Sequence, residues 1–219
     1  SDEHADIWKQ ISKLRYEVYS VELSQYENNK NQRLEDPGKY FITCVDGDKL
    51  VGYVSLNDSR NFRMTNFISD ETFESEILQR LCGEIASTFE VRALTVEKDY
   101  RGKKISQGLM INVLKNIHLM GGTDIIAMGH KNVLQLYEKI GMTISKKSFL
   151  VGSAEYFPMH MPVNIMVERY SDLIGMEDDV CYHGGASWDE SGFDFNYRDS
   201  IIVADVLDSP FPPCPEVLQ

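Results

Sequence analysis

One stretch constrains the fold more than any other: "VRALTVEKDYRGKKISQGLMINVLKNIHLM", residues 91–120. It opens as a strand, turns at Arg101-Gly102, and continues as a helical pattern with Ile105, Leu109, Ile111, Val113, Leu114 and Ile117 on a broad apolar face. A strand that feeds a helix through a tight turn needs a sheet for that helix to lie on. The helix start also presents free backbone N–H groups and the positive end of the dipole, which together suit an anion. Arg101 adds a full charge at this mouth, and Gly102 lets the backbone approach a ligand closely. Lys103 and Lys104 sit where a positive charge costs a few tenths to about 1 kcal/mol. That cost is itself a reason to expect an anionic ligand, although both lysines also read as solvated first-turn charges.

The flanking sequence extends the pattern. Ile7, Ile11, Leu14, Val18 and Val21 recur at helical spacing over residues 6–23, and a polar Pro-Gly loop follows. Two apolar runs around Asp46-Gly47-Asp48 predict a hairpin. Residues 70–88 read as a helix capped by Ser69 or Asp70, and residues 124–129 as a short buried strand. "NVLQLYEKIGM" reads as a helix stopped at Gly141, with "TISKKSFLV" and "VNIMVERY" as closing strands. The order αββαβαβαββ predicts an α/β fold with a mixed sheet flanked by helices.

Composition narrows the partners. With 219 residues and 42% hydrophobic side chains, the chain can bury one substantial core. A net charge of −12 argues against nucleic acid. No apolar run is long enough to span a bilayer, and the start "SDEHADIWKQ" lacks the features of a secretory signal. Cys44, Cys82, Cys181 and Cys214 are widely spaced, so reduced thiols in a cytoplasmic protein are expected. No His/Asp/Glu cluster has the spacing of metal ligands, and none is expected to bind one.

The Arg101–Ser106 turn resembles the acyl-donor loop of the GNAT superfamily of N-acyltransferases, Arg/Gln-x-x-Gly-x-Gly/Ala. Lys104 stands at that pattern's first glycine and Ser106 at its Gly/Ala position. "NVLQLYEKIGM" resembles the same family's closing motif, with Asn132, Tyr137 and Gly141 in the matching places. "LRYEVYSVELSQY" is similar to the first-helix signature "RyxVfxxE" of the autoinducer-synthase and N-acyl amino acid synthase branch, through Arg15, Tyr16, Val18, Tyr19 and Glu22. The likeness covers roughly residues 1–170. It implies a GNAT-like, mostly antiparallel mixed sheet and transfer of an acyl group from a thioester to an amine.

What the resemblance implies for individual residues is as follows. Arg101, Gly102, Lys103, Lys104, Ser106 and Asn132 would hold the donor, acetyl-CoA or a longer acyl-CoA or acyl-ACP. The strand carrying Leu94 and Val96 would bind the acyl carbonyl, and Tyr137 would protonate the departing thiolate. Glu97, Glu22 and His160 are candidates for the base, each with a structural alternative; His118 and His130 read as structural. The acceptor is a small amine or amino acid. The alternative is a non-catalytic module that binds an acyl thioester or docks an aminotransferase.

The tail has different physics. Residues 177–219 hold ten acidic side chains against one basic, Arg198, and so carry −9 of the chain's −12. "VADVLDSPFPPCPEVLQ" resembles the entry arm of histidinol-phosphate-type pyridoxal-phosphate aminotransferases, without the lysine-bearing domain that would hold that cofactor. The expected organisation is an acyltransferase domain over 1–175 and an acidic, Pro-rich linker or entry arm over 176–219. The aromatics Trp188, Phe193, Phe195 and Tyr197 suggest that part of the tail packs on something. Expected partners are therefore an acyl carrier protein, an aminotransferase domain in cis and a second copy of the chain, with no membrane and no nucleic acid.

Overall fold

The structure, a computed structural model, describes residues 5–169 and 201–208. The chain begins with α1 (Ala5–Tyr16), which passes into a π-helical turn over Glu17–Glu22. A hairpin follows, β1 (Tyr40–Asp46) and β2 (Lys49–Asp58), turning at Gly47 with φ +59° as an Asp-Gly hairpin turn requires. Next come α2 (Asp70–Glu76), β3 (Thr88–Val96), α3 (Ile105–Leu119), β4 (Asp124–His130) and α4 (Leu134–Lys139). The body closes with β5 (Thr143–Ile144), β6 (Phe149–Val151), β7 (Ala154–Pro162) and α5 (Val163–Arg169), and β8 (Ile201–Asp208) lies beyond.

The strands form one mixed sheet in the order β5-β7-β4-β3-β2-β1-β8, with β6 also on β7. Among the described residues only β3 and β4 pair in parallel. Side-chain alternation divides the core between the two faces of the sheet. Ile42, Val54, Val91 and Ile125 pack with Leu109, Val113, Leu114 and Ile117 of α3. Each of those four α3 side chains is at most 1% exposed, and burying one contributes about 1.5–3 kcal/mol. On the other face Phe41, Leu50 and Tyr53 meet Ile11 and Leu14 of α1, while Ile126 meets Met64, Phe73 and Ile77.

Three predicted elements need correction. "TISKKSFLV" is not one strand but two short ones, β5 and β6, which pair with different stretches of β7. "VNIMVERY" forms no strand: residues 163–169 are α5, with Val163 and Met166 buried one helical turn apart and Ile165 facing solvent. The predicted helix over 70–88 is α-helical only to Glu76 and then breaks into single turns at Leu78–Arg80 and Ile85–Ser87. The break has a cause, since the Cys82 and Gly83 N–H groups donate to the Asp124 carboxylate at 2.9 and 2.8 Å instead of to a helix. Ser69 is the cap, its Oγ accepting from the Thr72 N–H.

The proposed boundary at 175 and the tail aromatics lie outside the described residues. Residues 201–208, however, form β8, antiparallel to β1 with Tyr40↔Asp208 and Asp46↔Ile201 in register. The tail thus covers the β1 edge, which would otherwise present unpaired N–H and C=O groups. Cutting the chain after Gly175 should leave acyl-CoA affinity unchanged by calorimetry, because three strands intervene between β8 and β4. The uncovered edge should promote self-association, seen as concentration-dependent sedimentation. Loss of donor binding would place the tail in the catalytic domain.

Among the described residues no helix is long and apolar enough to cross a membrane. Cys44 and Cys82 are free thiols, and burial pushes the Cys44 thiol up to about 12.

Candidate active site

The sheet splits where its parallel pair stops. β3 and β4 are bonded from Thr88↔Asp124 to Val91↔Ala127 and no further. Both strands run on with their outer edges still paired, β3 to β2 as far as Val96↔Gly52 and β4 to β7 as far as His130↔Tyr156. They therefore diverge. The wedge leaves the inner backbone edge of residues 92–96 without a strand partner, and such groups need another partner if buried. A bulge sharpens the departure: the β2–β3 register shifts between Tyr53 and Ser55, and Ala93 has φ +45°, unusual for a residue with a side chain.

A cavity of about 260 Å³ fills the wedge. Val91–Val96 form one wall, Ala127, Met128 and His130 the other, and Val133 in the turn before α4, Tyr137 of α4 and Tyr156 of β7 close it. The π-helical turn covers it. Widening the helix there brings Val18, Tyr19, Glu22 and Leu23 together on the cleft, and π turns recur at functional sites.

Tyr137 is 9% exposed. Burial, then the Tyr19 hydroxyl, raises its pKa above the ordinary phenol value, so it enters any reaction protonated. Leu94 and Val96 line the wall. Arg101 also reaches the cavity, but its fork is engaged: Nη1 and Nη2 donate to the two Glu22 carboxylate oxygens at 2.7 and 3.0 Å, and Nε donates to the Val96 carbonyl. Arg101 and Glu22, expected in separate roles, therefore hold each other across the cleft mouth. Gly102 and Lys104 have φ +79° and +63°. Lys104 thus keeps the left-handed conformation that favours glycine, at the position where the resembled loop has one. Lys103 lies over the Tyr100 ring at 4.6 Å, and Ser106 sits in the first turn of α3. Asn132 lies in the turn before α4, its N–H 3.4 Å from His130 Nδ1.

Two of the proposed bases fall elsewhere. Glu97 turns away from the cavity to Lys49, with Nζ 2.7 Å from Oε1. His160 is 5% exposed, and its Nε2 lies 2.8 Å from Asp124 Oδ1 at the opposite end of β4. At about 3.3 Å per residue, Asp124 is roughly 13 Å along the strand from Met128. Strand direction explains the error, since β7 runs antiparallel to β4 and carries its C-terminal residues away from the wedge.

The structure adds residues that sequence reasoning passed over. A smaller chamber of about 50 Å³ adjoins the cleft and shares Tyr19, Val91, Arg92, Ala93, Met128 and Tyr156 with it. Arg15, Gln25, Tyr26, Phe67 and Glu90 complete its lining. Arg15 Nη1 donates to Asp36 Oδ2 at 2.6 Å, and Tyr53, Ser55 and the Gly38 N–H also donate to Asp36. Glu90 is fully buried, accepts from the Arg63 and Met64 N–H groups at 2.7 Å each, and has its pKa raised by burial against the pull of Arg92. The signal for Glu90 and Arg92 was present: two charges alternate on one face of "FEVRALTV".

The mixed sheet thus opens at its parallel pair beside the start of α3, whose free N–H groups suit an anion. Residues 5–142 match the acetyltransferase (GNAT) family, and the chain belongs to that family. By structure it is similar to BjaI, a CoA-dependent acyl-homoserine lactone synthase, with a TM-score of 0.62 and 19% identity over 80% of this chain and 84% of that one. It is also similar to MesI, another CoA-dependent acyl-homoserine lactone synthase, with a TM-score of 0.57 and 13% identity over 81% of this chain and 92% of that one. For the AHL synthase LasI the TM-score is 0.57 and the identity 12%, over 73% and 84%. At these identities the likeness is one of fold. Among curated proteins no sequence relative matches significantly.

Proposed function

We propose that this chain is an N-acyltransferase that moves an acyl group from a thioester, acyl-CoA or acyl-ACP, to the amine of an amino acid or small amine. The observation that carries this is the wedge itself, which sets a free strand edge opposite a buried, protonated Tyr137. An acyl carbonyl lying along Leu94–Val96 would accept backbone N–H hydrogen bonds that strengthen as the oxyanion forms. The amine, once deprotonated, attacks that carbonyl, the C–S bond breaks, and Tyr137 supplies a proton to the thiolate. Glu22, which lines the wedge, is the candidate to take the amine's proton, directly or through water. Holding two reactants in one wedge supplies much of the rate. The likeness of residues 203–219 to an aminotransferase entry arm supports the further reading that the chain is half of an acyltransferase–aminotransferase fusion.

One observation favours the other reading, a non-catalytic thioester-binding module: Glu22 and Glu97 are both held in ion pairs. Release of free thiol from a panel of acyl-CoAs separates the two. The transferase gives amine-dependent release with an N-acyl product by mass spectrometry; binding without release leaves the module. In the same assay Arg101→Ala should weaken acyl-CoA binding by about 1–3 kcal/mol, the range for a charge-assisted contact. Unchanged affinity by calorimetry would remove the Arg101–Ser106 turn from the donor site.

A further inference from the structure

Arg101 and Glu22 face each other across the mouth of the wedge. Glu22 ends the π-helical turn that covers the cavity, Arg101 stands at the turn before α3, and both side chains line the cavity. Their contact is bidentate, with Nη1 and Nη2 donating to Oε2 and Oε1 at 2.7 and 3.0 Å. Nε donates to the Val96 carbonyl at 3.0 Å and pins the guanidinium to the end of β3. Each partner is thereby kept from the work the site gives it. A fork filled by a carboxylate cannot offer the same N–H groups to a phosphate. A carboxylate whose two oxygens both accept from a guanidinium is poorly placed to take a proton from an amine. The pair is also easy to open, since the two side chains are 43% and 35% exposed and exposed pairs are weak.

We infer that Arg101 is a positioning residue for Glu22 as well as a donor contact. In the empty protein it holds the Glu22 carboxylate, and a donor phosphate arriving at the Arg101–Ser106 turn takes the guanidinium and frees Glu22 for the amine. The inference rests on the acyl-transfer reading and adds to it a coupling between the donor and acceptor sides of the wedge. Charge and geometry both favour the exchange. A phosphate offers the fork the same paired oxygens as a carboxylate. It also gains hydrogen bonds from the first turn of α3, which opens at Ile105 and Ser106. An order of events follows. The amine meets a competent base only once the donor is in place, because until then both Glu22 oxygens belong to Arg101. The ion pair of Glu22 is thus the resting state of the site, whereas Glu97 stays with Lys49 on the far side of the strand end.

The test measures binding to the full chain by calorimetry with three probes: coenzyme A, 4′-phosphopantetheine and pantetheine. They share one thiol arm and differ in phosphate, and the second is the arm that an acyl carrier protein presents. Glu22→Gln removes the competing charge and should tighten coenzyme A by about fivefold, the upper end for an exposed ion pair. Pantetheine affinity should not move. In an Arg101→Ala background the same Glu22→Gln change should have no effect, since the two residues act as one unit. Equal tightening in both backgrounds would reduce the effect to repulsion between Glu22 and phosphate and overturns the exchange. Unchanged coenzyme A affinity in Glu22→Gln, or tightening of pantetheine as well, overturns it too. Coupling with coenzyme A alone assigns the exchange to the pyrophosphate; coupling with phosphopantetheine also assigns it to the single phosphate of a carrier-protein arm. Thiol release from acyl-CoA with a panel of amines separates this from the reading beneath it. Release without coupling leaves acyl transfer standing and overturns the exchange. Coupling with no release for any amine keeps the exchange and overturns acyl transfer. Binding of none of the three probes overturns both.

Discussion

Tyr137→Phe should lower kcat by roughly 10²-fold while the melting temperature stays nearly unchanged. The ring remains in its place on α4 against the cleft wall, so packing is preserved; what is lost is one proton. General acid catalysis contributes about 10²–10⁴-fold. The lower end is expected here, because the burial that keeps Tyr137 protonated also makes it a weaker acid. The sign of its pH dependence follows. With its pKa above the ordinary value of 10.0, Tyr137 contributes no alkaline loss of activity below about pH 10. Any basic limb seen at lower pH belongs to another group and should persist in the Phe variant. Full activity in that variant would leave Tyr137 as a core residue only.

Asp36→Asn should be the most destabilising change around the site. The carboxylate is 2% exposed and binds Arg15 and three further donors. Removing its charge leaves the buried Arg15 guanidinium uncompensated, at a cost of about 3–5 kcal/mol. For a chain of this size that is roughly 6–20 °C in Tm. Burial alone would raise the pKa of Asp36, but Arg15 and then Arg92 outweigh it, and the folded value lies below the ordinary 3.8. The stabilisation is therefore complete above that ordinary value and fades as pH falls through the depressed folded one. Denaturant melts from pH 6 to pH 2.5 should show the parent and the variant converging at the acid end. A constant gap would mean that the effect is steric rather than electrostatic.

Most of the scaffold was legible because its elements carry strong local periodicity. α3 was read from a broad apolar face, and the hairpin from two apolar runs around Asp46-Gly47-Asp48. β7 was missed for a physical reason: "AEYFPMHMP" contains Pro158 and Pro162, which argue against a strand, yet β7 pairs in register along β4. "VNIMVERY", expected as a closing strand, is a helix because Val163 and Met166, three residues apart, pack on the core. The site was legible only in part. Tyr137, Leu94, Val96 and Arg101 line one cavity. The polar centre around Arg15, Asp36, Glu90 and Arg92 joins α1, the loop before β1, and β3; only the Glu90–Arg92 alternation is local, and no local pattern marks the pairing of Arg15 or Arg92 with Asp36. The misplacement of His160 and Glu97 has the same origin, since both were judged by position along the chain rather than by the partner each would find.

The most direct measurement is a crystal structure of the complex with acetonyl-coenzyme A, an unreactive analogue in which a CH₂ separates sulfur from carbonyl. The account predicts the analogue in the wedge between β3 and β4, its carbonyl oxygen on a backbone N–H of Leu94–Val96 and its sulfur beside the Tyr137 hydroxyl. The pyrophosphate should lie at the Arg101–Ser106 turn. An analogue bound elsewhere on the protein, with the wedge left empty, would contradict it.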